Sequence, residues 1–197
     1  MKIRIFRFLQ ETYAEGPGKR ACIWVQGCLM KCSGCASSHS WDLNGGYEVD
    51  VDELINKILN TEGLEGVTFL GGEPFLQSNE LSSIAKKVQE SGLSVITFTG
   101  YRYEDLVLKN NEHINKLLKY TDLLIDGPYK KELHDISRPW VGSSNQRYMY
   151  LSDKYKHLEN NLDKYKNRLE IKIKSDGQII INGMANFEDL IDIIHNM

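Results

Sequence analysis

An α/β fold is what the sequence predicts for residues 1–150: a parallel sheet of short strands with helices outside it, closed as a layer or as an open, partial β/α barrel. Three observations lead there. Short apolar runs alternate with segments whose apolar residues recur at three- and four-residue spacing. Distinctive loops follow Gln26, Leu70, Phe98 and Ile125, each at the carboxyl end of an expected strand, where sheets of this kind bind ligands. Beyond residue 150 the alternation stops, so residues 151–197 read as a C-terminal extension.

Residues 3–9 alternate apolar with basic side chains, a strand period rather than the continuous apolar core of a signal peptide. Glu15-Gly16-Pro17-Gly18-Lys19-Arg20 follows as a fixed turn, and residues 22–25 form a second strand. After a turn at Asn44-Gly45-Gly46, Asp50 caps a helix that buries Val51, Leu54, Ile55 and Ile58 on one stripe. Residues 66–70 are a buried strand running into Gly71-Gly72-Glu73-Pro74. A helix through Leu81, Ile84, Ala85 and Val88 then stops at Gly92. The strand over 93–98 ends in Thr99-Gly100-Tyr101, helical segments pass through Leu106 and 114–118, and the strand over 122–125 ends in Asp126-Gly127-Pro128. In the extension, 152–168 is a polar helix or loop. Residues 169–174 and 178–181 make a hairpin about Asp176-Gly177, and 186–194 a short amphipathic helix.

A chain of 197 residues can bury a proper core. Its 24 basic and 27 acidic side chains leave a net charge of −3, with no electrostatic footprint for nucleic acid. No apolar run approaches the ~20 residues of a membrane span. The expectation is a cytoplasmic protein, in a compartment that keeps thiols reduced.

The chemistry gathers in Cys28-Leu29-Met30-Lys31-Cys32-Ser33-Gly34-Cys35. Electron-carrying 4Fe-4S clusters take four cysteines, so three from one loop would leave one iron open to a small molecule. A closed zinc site would have to recruit Cys22 or His39 as its fourth ligand, and a disulfide would need an oxidising compartment. On the loop alone these alternatives stay open. Gly71, Gly72 and Glu73 offer close-approaching carbonyls and a carboxylate, acceptors of the kind an ammonium group needs; as a bare pattern they also fit an ordinary turn. Cys22 reads as a small buried hydrophobe. The five histidines show no ligand spacing.

The CxxxCxxC spacing is similar to that of the radical S-adenosylmethionine (SAM) enzymes. Across residues 1–150 the chain resembles the activating enzymes of glycyl radical proteins, and most closely the activators of anaerobic (class III) ribonucleotide reductase. The stretches that carry the resemblance are Glu15 to Arg20, Gln26-Gly27-Cys28, Cys32-Ser33-Gly34-Cys35 with Trp41, Gly71 to Pro74, Thr99-Gly100-Tyr101, Leu124 to Tyr129 and Gly142 to Arg147, in that order.

The resemblance implies a partial barrel of the radical SAM type and a 4Fe-4S cluster on Cys28, Cys32 and Cys35. It implies SAM on the open iron, with its amino group near Gly71, Gly72 and Glu73 and its ribose or carboxylate near Thr99 and Asp126. It further implies a flavodoxin- or ferredoxin-type electron donor, a 5′-deoxyadenosyl radical, and a glycyl radical enzyme as partner. A maturase acting on a peptide or another protein, and a non-catalytic zinc- or cluster-binding module, are the alternatives. Two features depart from the activator pattern. Ala36, Ser37 and Ser38 replace the usual residues after the third cysteine, and the chain continues beyond residue 150.

Overall fold

The computed structural model describes residues 1–173, 175–185 and 191. In chain order the elements are β1 (Lys2–Thr12), β2 (Arg20–Val25), β3 (Tyr47–Asp50), α1 (Val51–Leu59), β4 (Gly66–Gly71), α2 (Ser78–Glu90), β5 (Ser94–Phe98), α3 (Tyr103–Leu108), α4 (Glu112–Lys119), β6 (Leu123–Asp126), β7 (Arg147–Tyr150), β8 (Leu169–Ile173) and β9 (Ile179–Gly183). Seven strands make one sheet in the order β3-β1-β2-β4-β5-β6-β7, and β8 pairs with β9 apart from it.

The sheet is mixed, which corrects the expectation of a parallel one. Neighbours among β2, β4, β5 and β6 are parallel, whereas β1 is antiparallel to β2 and β3, and β7 is antiparallel to β6. The turn between β1 and β2 is too short for the crossover that a parallel pair requires. Strands β3 and β7 were not foreseen. Both are short edge strands, half-exposed or exposed, with little apolar signal of their own.

Alternation along β2 divides the core. Ala21, Ile23 and Val25 face the helices and pack with Leu54, Ile58, Leu81, Ile84 and Leu117. Cys22 and Trp24 face the other way, with Leu70, Phe6, Leu9 and Phe98. The helix starts are set by side-chain caps: Asp50 accepts the Asp52 amide at 2.8 Å, and Asn111 accepts the His113 and Ile114 amides.

The face opposite the helices is covered in part by the extension. In the tight helical turn Asp153–Leu158, Tyr155 and Leu158 point the same way and are buried with Ile96, Leu123, Ile125 and Trp140. The Tyr155 hydroxyl meets Arg20 Nη1 at 2.8 Å, Ser94 Oγ at 2.6 Å and Glu65 Oε1 at 2.8 Å. Arg20 is fully buried; it also donates to Thr68 Oγ1 at 2.7 Å and to the Val67 carbonyl at 2.6 Å. The expected hairpin forms, with Leu169 opposite Gly183. It is tied to the sheet by Asn182 Nδ2 to Thr12 Oγ1 (2.8 Å), Arg7 Nη2 to Asn182 Oδ1 (3.0 Å) and the Tyr13 amide to Glu170 Oε1 (2.7 Å). The expected helix over 186–194 lies outside the described residues, Ile191 excepted. Among the described residues, no helix is long and apolar enough to cross a membrane.

Candidate metal centre

Register brings the strand ends level. Val25 of β2 stands beside Gly71 of β4, and Phe98 of β5 beside Ile125 of β6, so the four loops leave the sheet along one rim. At the first exit Gly27, with φ 97°, turns the chain out of the sheet. The cysteine loop is then closed at its neck, where the Gly27 amide donates to the Ser40 carbonyl (2.8 Å) and the Cys28 amide to that of Trp41 (3.2 Å). Gln26 Nε2 braces the neck through the Asp42 carbonyl at 2.7 Å, and Gln77 Nε2 through the Gln26 carbonyl at 3.0 Å. The small residues at 36–38 lead into a tight turn, Ser38–Ser40, in which Ser40 Oγ donates to the Ser37 carbonyl at 2.6 Å.

Cys28 is buried, while Cys32 and Cys35 are half-exposed, and all are free thiols. Burial pushes the Cys28 thiol up; the Met30 and Lys31 amides oppose this, and the charges of Glu73 and Cys35 add to it. Burial raises Cys32 as well, followed by the charges of Cys35 and Cys28, against the amides of Tyr129 and of Cys32 itself. The thiols therefore sense one another. Among the described residues, no three His, Cys, Asp or Glu side chains converge tightly enough to hold a single metal ion.

This donor set fits a cluster. A cube places its thiolates at separate corners, so they need not meet at one point, and backbone amides directed at the sulfurs are among the contacts that tune such clusters. Neither candidate for a fourth zinc ligand is turned toward the loop. Cys22 is fully buried on the sheet face beside Trp24 and Leu70, its thiol raised well above the ordinary range by burial. The His39 ring lies against Phe6, with centroids 4.2 Å apart; burial and then the nearby Arg7 charge lower its pKa.

The second exit is sewn to the first. The Gly72 amide donates to the Val25 carbonyl and the Glu73 amide to that of Gly27, both at 2.8 Å. A Cβ at Gly72 would strike the Gly27 carbonyl oxygen, and one at Gly71 would come within 2.7 Å of the Trp24 backbone. The glycines are thus required by the close passage of two strand exits. Glu73, 1% exposed, accepts from the Phe75 amide (3.0 Å) and Thr99 Oγ1 (2.8 Å) on one oxygen, and from the Gly100 amide (2.9 Å) on the other. Burial raises its pKa; those three bonds pull it back.

Glu73 and Thr99 thus come together beside Cys28. Asp126 shares no hydrogen bond with them. It is fully buried, accepts from the Tyr103 amide at 2.7 Å and is gripped by Arg147, whose Nε lies 2.9 Å from Oδ1. Arg147 reaches on to Glu104 at 2.8 and 3.1 Å, so it braces the rim at the third and fourth exits.

Sequence reasoning did not foresee two contacts of the cysteine loop, one at Gly34 with Tyr129 and Lys131 and one at Met30 with Gly100. A Cβ at Gly34 would lie 3.4 Å from the Tyr129 ring and 3.5 Å from Lys131 Cδ, and one at Gly100 would collide with Met30 Sδ. Met30 lies inside the cysteine motif, which offered a signal. Tyr129 ends the Leu124–Tyr129 stretch and Lys131 belongs to a basic pair, but nothing local shows that the loop after β6 crosses to the loop after β2.

Residues 14–149 match the family described as "4Fe-4S single cluster domain". The chain is similar to the anaerobic ribonucleoside-triphosphate reductase-activating protein of Enterobacteria phage T4, 33% identical over 141 residues, 68% of this chain and 86% of that protein. It is also similar to the pyruvate formate-lyase-activating enzyme of Clostridium pasteurianum, 35% identical over 117 residues, 56% of this chain and 46% of that one. Among solved structures, QueE from Escherichia coli is similar at TM-score 0.41 and 19% identity, over 51% of this chain and 53% of that chain, a likeness too slight to argue from.

Proposed function

The chain belongs to the 4Fe-4S single cluster domain family, together with the anaerobic ribonucleoside-triphosphate reductase-activating proteins, and from that premise we infer that it is a radical SAM activase of a glycyl radical enzyme. The observation that carries this reading is the necked loop of Cys28, Cys32 and Cys35, joined through backbone bonds to the Gly72–Glu73 exit, in a chain whose relatives are activating proteins. A 4Fe-4S cluster held by Cys28, Cys32 and Cys35 would, once reduced by an electron-carrier protein, supply the one-electron reductive cleavage of SAM that yields methionine and the radical with which an activase abstracts hydrogen from its partner's glycine.

The chain's own groups hold and orient. Cys28, Cys32 and Cys35 bind as thiolates, and because burial and mutual charge raise the first two, loading the iron must release protons. Glu73 Oε1 already accepts two bonds, but Oε2 accepts only from the Gly100 amide and keeps one lone pair free near Cys28, which suits a ligand ammonium at this rim together with the carbonyls of Gly71 and Gly72. Thr99 keeps Glu73 aimed. Asp126, already neutralised by Arg147, orders the far side of the rim, where the ribose or carboxylate would lie.

On this reading the mixed sheet forms an open, partial barrel, with residues 1–150 as its core and 151–197 as the extension. Such an open side admits a loop of another protein. Anaerobic incubation of the iron-loaded protein with SAM and a reductant tests this reading. It predicts 5′-deoxyadenosine and methionine in equal amounts, and protein that carries iron yet leaves SAM intact would refute it.

A further inference from the structure

We propose that Lys31, Lys130 and Lys131 form the landing face for an acidic electron-carrier protein that reduces the centre held by the cysteine loop. This rests on the cluster reading above and adds where the electron enters.

Lys31 stands inside the cysteine loop, one residue before Cys32, in a left-handed conformation with φ 46°. Lys131 packs along Gly34 between Cys32 and Cys35, and the amide of Tyr129 is directed at Cys32. The loop carrying Lys130 and Lys131 therefore lies against the same side of the cysteine loop as Gly34. All three lysines are exposed, as are Ser33 and Gly34, and Cys32 and Cys35 are themselves half-exposed. Cys32 and Cys35 thus border exposed chain that lies next to Lys31 and Lys131.

Four of the helix lysines elsewhere meet carboxylates, Lys57 with Glu53, Lys86 and Lys87 with Glu90, and Lys116 with Glu112, while Lys119 lies over the Tyr120 ring. Among the described residues, Lys31, Lys130 and Lys131 form no ion pair. Glu132, next in the chain, offsets part of their charge. Leu29, two residues before Lys31 in the cysteine loop and 60% exposed, offers an apolar contact of the kind an interface core uses.

Since the whole chain carries a net charge of −3, an acidic partner is repelled at long range and needs a local basic face to dock productively. The step moves one electron from the carrier's reduced flavin or iron–sulfur centre to the oxidised cluster. No bond forms or breaks, and the carrier is left oxidised by one electron.

Stopped-flow mixing of the iron-loaded protein with a reduced acidic flavodoxin-type carrier tests the assignment, read at the carrier's flavin absorbance. The double variant Lys130→Glu/Lys131→Glu should slow the bimolecular step about tenfold or more at low salt, with the difference shrinking as salt rises. Reduction of the same variant by photoreduced deazaflavin should match wild type. The milder Lys130→Gln/Lys131→Gln pair should give an intermediate slowing. A carrier rate unchanged by charge reversal overturns the proposal, as does equal slowing by Lys154→Glu/Lys156→Glu, because that effect would be one of net charge alone. Wild-type protein that takes up no iron defeats the cluster reading itself, a result distinguishable from either.

Discussion

Replacing Tyr155 with phenylalanine probes how far the extension is part of the core. The ring stays and only the hydroxyl goes, so packing against Ile96, Leu123 and Ile125 is kept. Three bonds are lost: to the Arg20 guanidinium at 2.8 Å, to Ser94 Oγ at 2.6 Å and to Glu65 Oε1 at 2.8 Å. Two of these involve a charged group, for which a hydrogen bond contributes about 1.5–3 kcal/mol, and the third is neutral, at about 1 kcal/mol. Arg20 Nη1 keeps Ser94 Oγ at 3.0 Å and the Pro17 carbonyl at 3.3 Å, so the loss is cushioned below the simple total. The expected cost is about 2–4 kcal/mol, or a fall in Tm of about 5–15 °C for a chain of this size. Urea unfolding of the metal-free protein under reducing, anaerobic conditions measures it. A loss under about 0.5 kcal/mol would refute the view that Tyr155 anchors the buried Arg20.

Other perturbations separate the parts of the site. Gly72→Ala sets a Cβ against the Gly27 carbonyl; we expect a cost of about 1–3 kcal/mol and a drop in bound iron per chain by metal analysis, because the cysteine loop's neck must shift. Glu73→Gln cannot accept from all of the Phe75 and Gly100 amides and Thr99 at once, so SAM binding by calorimetry should weaken several-fold while Cys28, Cys32 and Cys35 still take up iron. Burial raises the Glu15 carboxyl from the ordinary 4.5 to about 7, with opposing contributions from Arg7 and the Gly183 amide. A carboxyl raised on folding binds an extra proton in the native state, so stability falls as pH rises from 4.5 toward 7 and levels off above. Glu15→Gln should therefore stabilise the protein by about 3 kcal/mol in alkaline urea titrations and by little in acid.

The cysteine loop and the strand exits were legible in the chain because each is a local pattern: thiol spacing in one case, a buried run broken by glycine in the others. Asp50 and Asn111 as caps belong to the same class, since a cap acts on amides within three residues. What escaped notice depends on residues far apart in sequence. Arg20 looked like the end of a turn, and only the fold brings it to Tyr155. Arg147 is only the last residue of the Gly142–Arg147 stretch in the sequence, and only the fold shows its grip on Asp126 and Glu104. Gly71 and Gly72 were expected to open the backbone toward a ligand, yet the contact that demands glycine is with Trp24 and Gly27 of the neighbouring exit. Strand β1 shows an alternating pattern, but its direction is set by the short turn into β2 rather than by any residue within it.

The central claim is that the three thiols hold a four-iron cluster with one iron left for SAM. The most direct measurement is electron spin resonance of the reduced, iron-loaded protein with and without SAM. A cluster signal whose g values move when SAM is added, and that is absent in Cys32→Ala, is the predicted result. A signal indifferent to SAM, or protein that binds zinc and no iron, would contradict it.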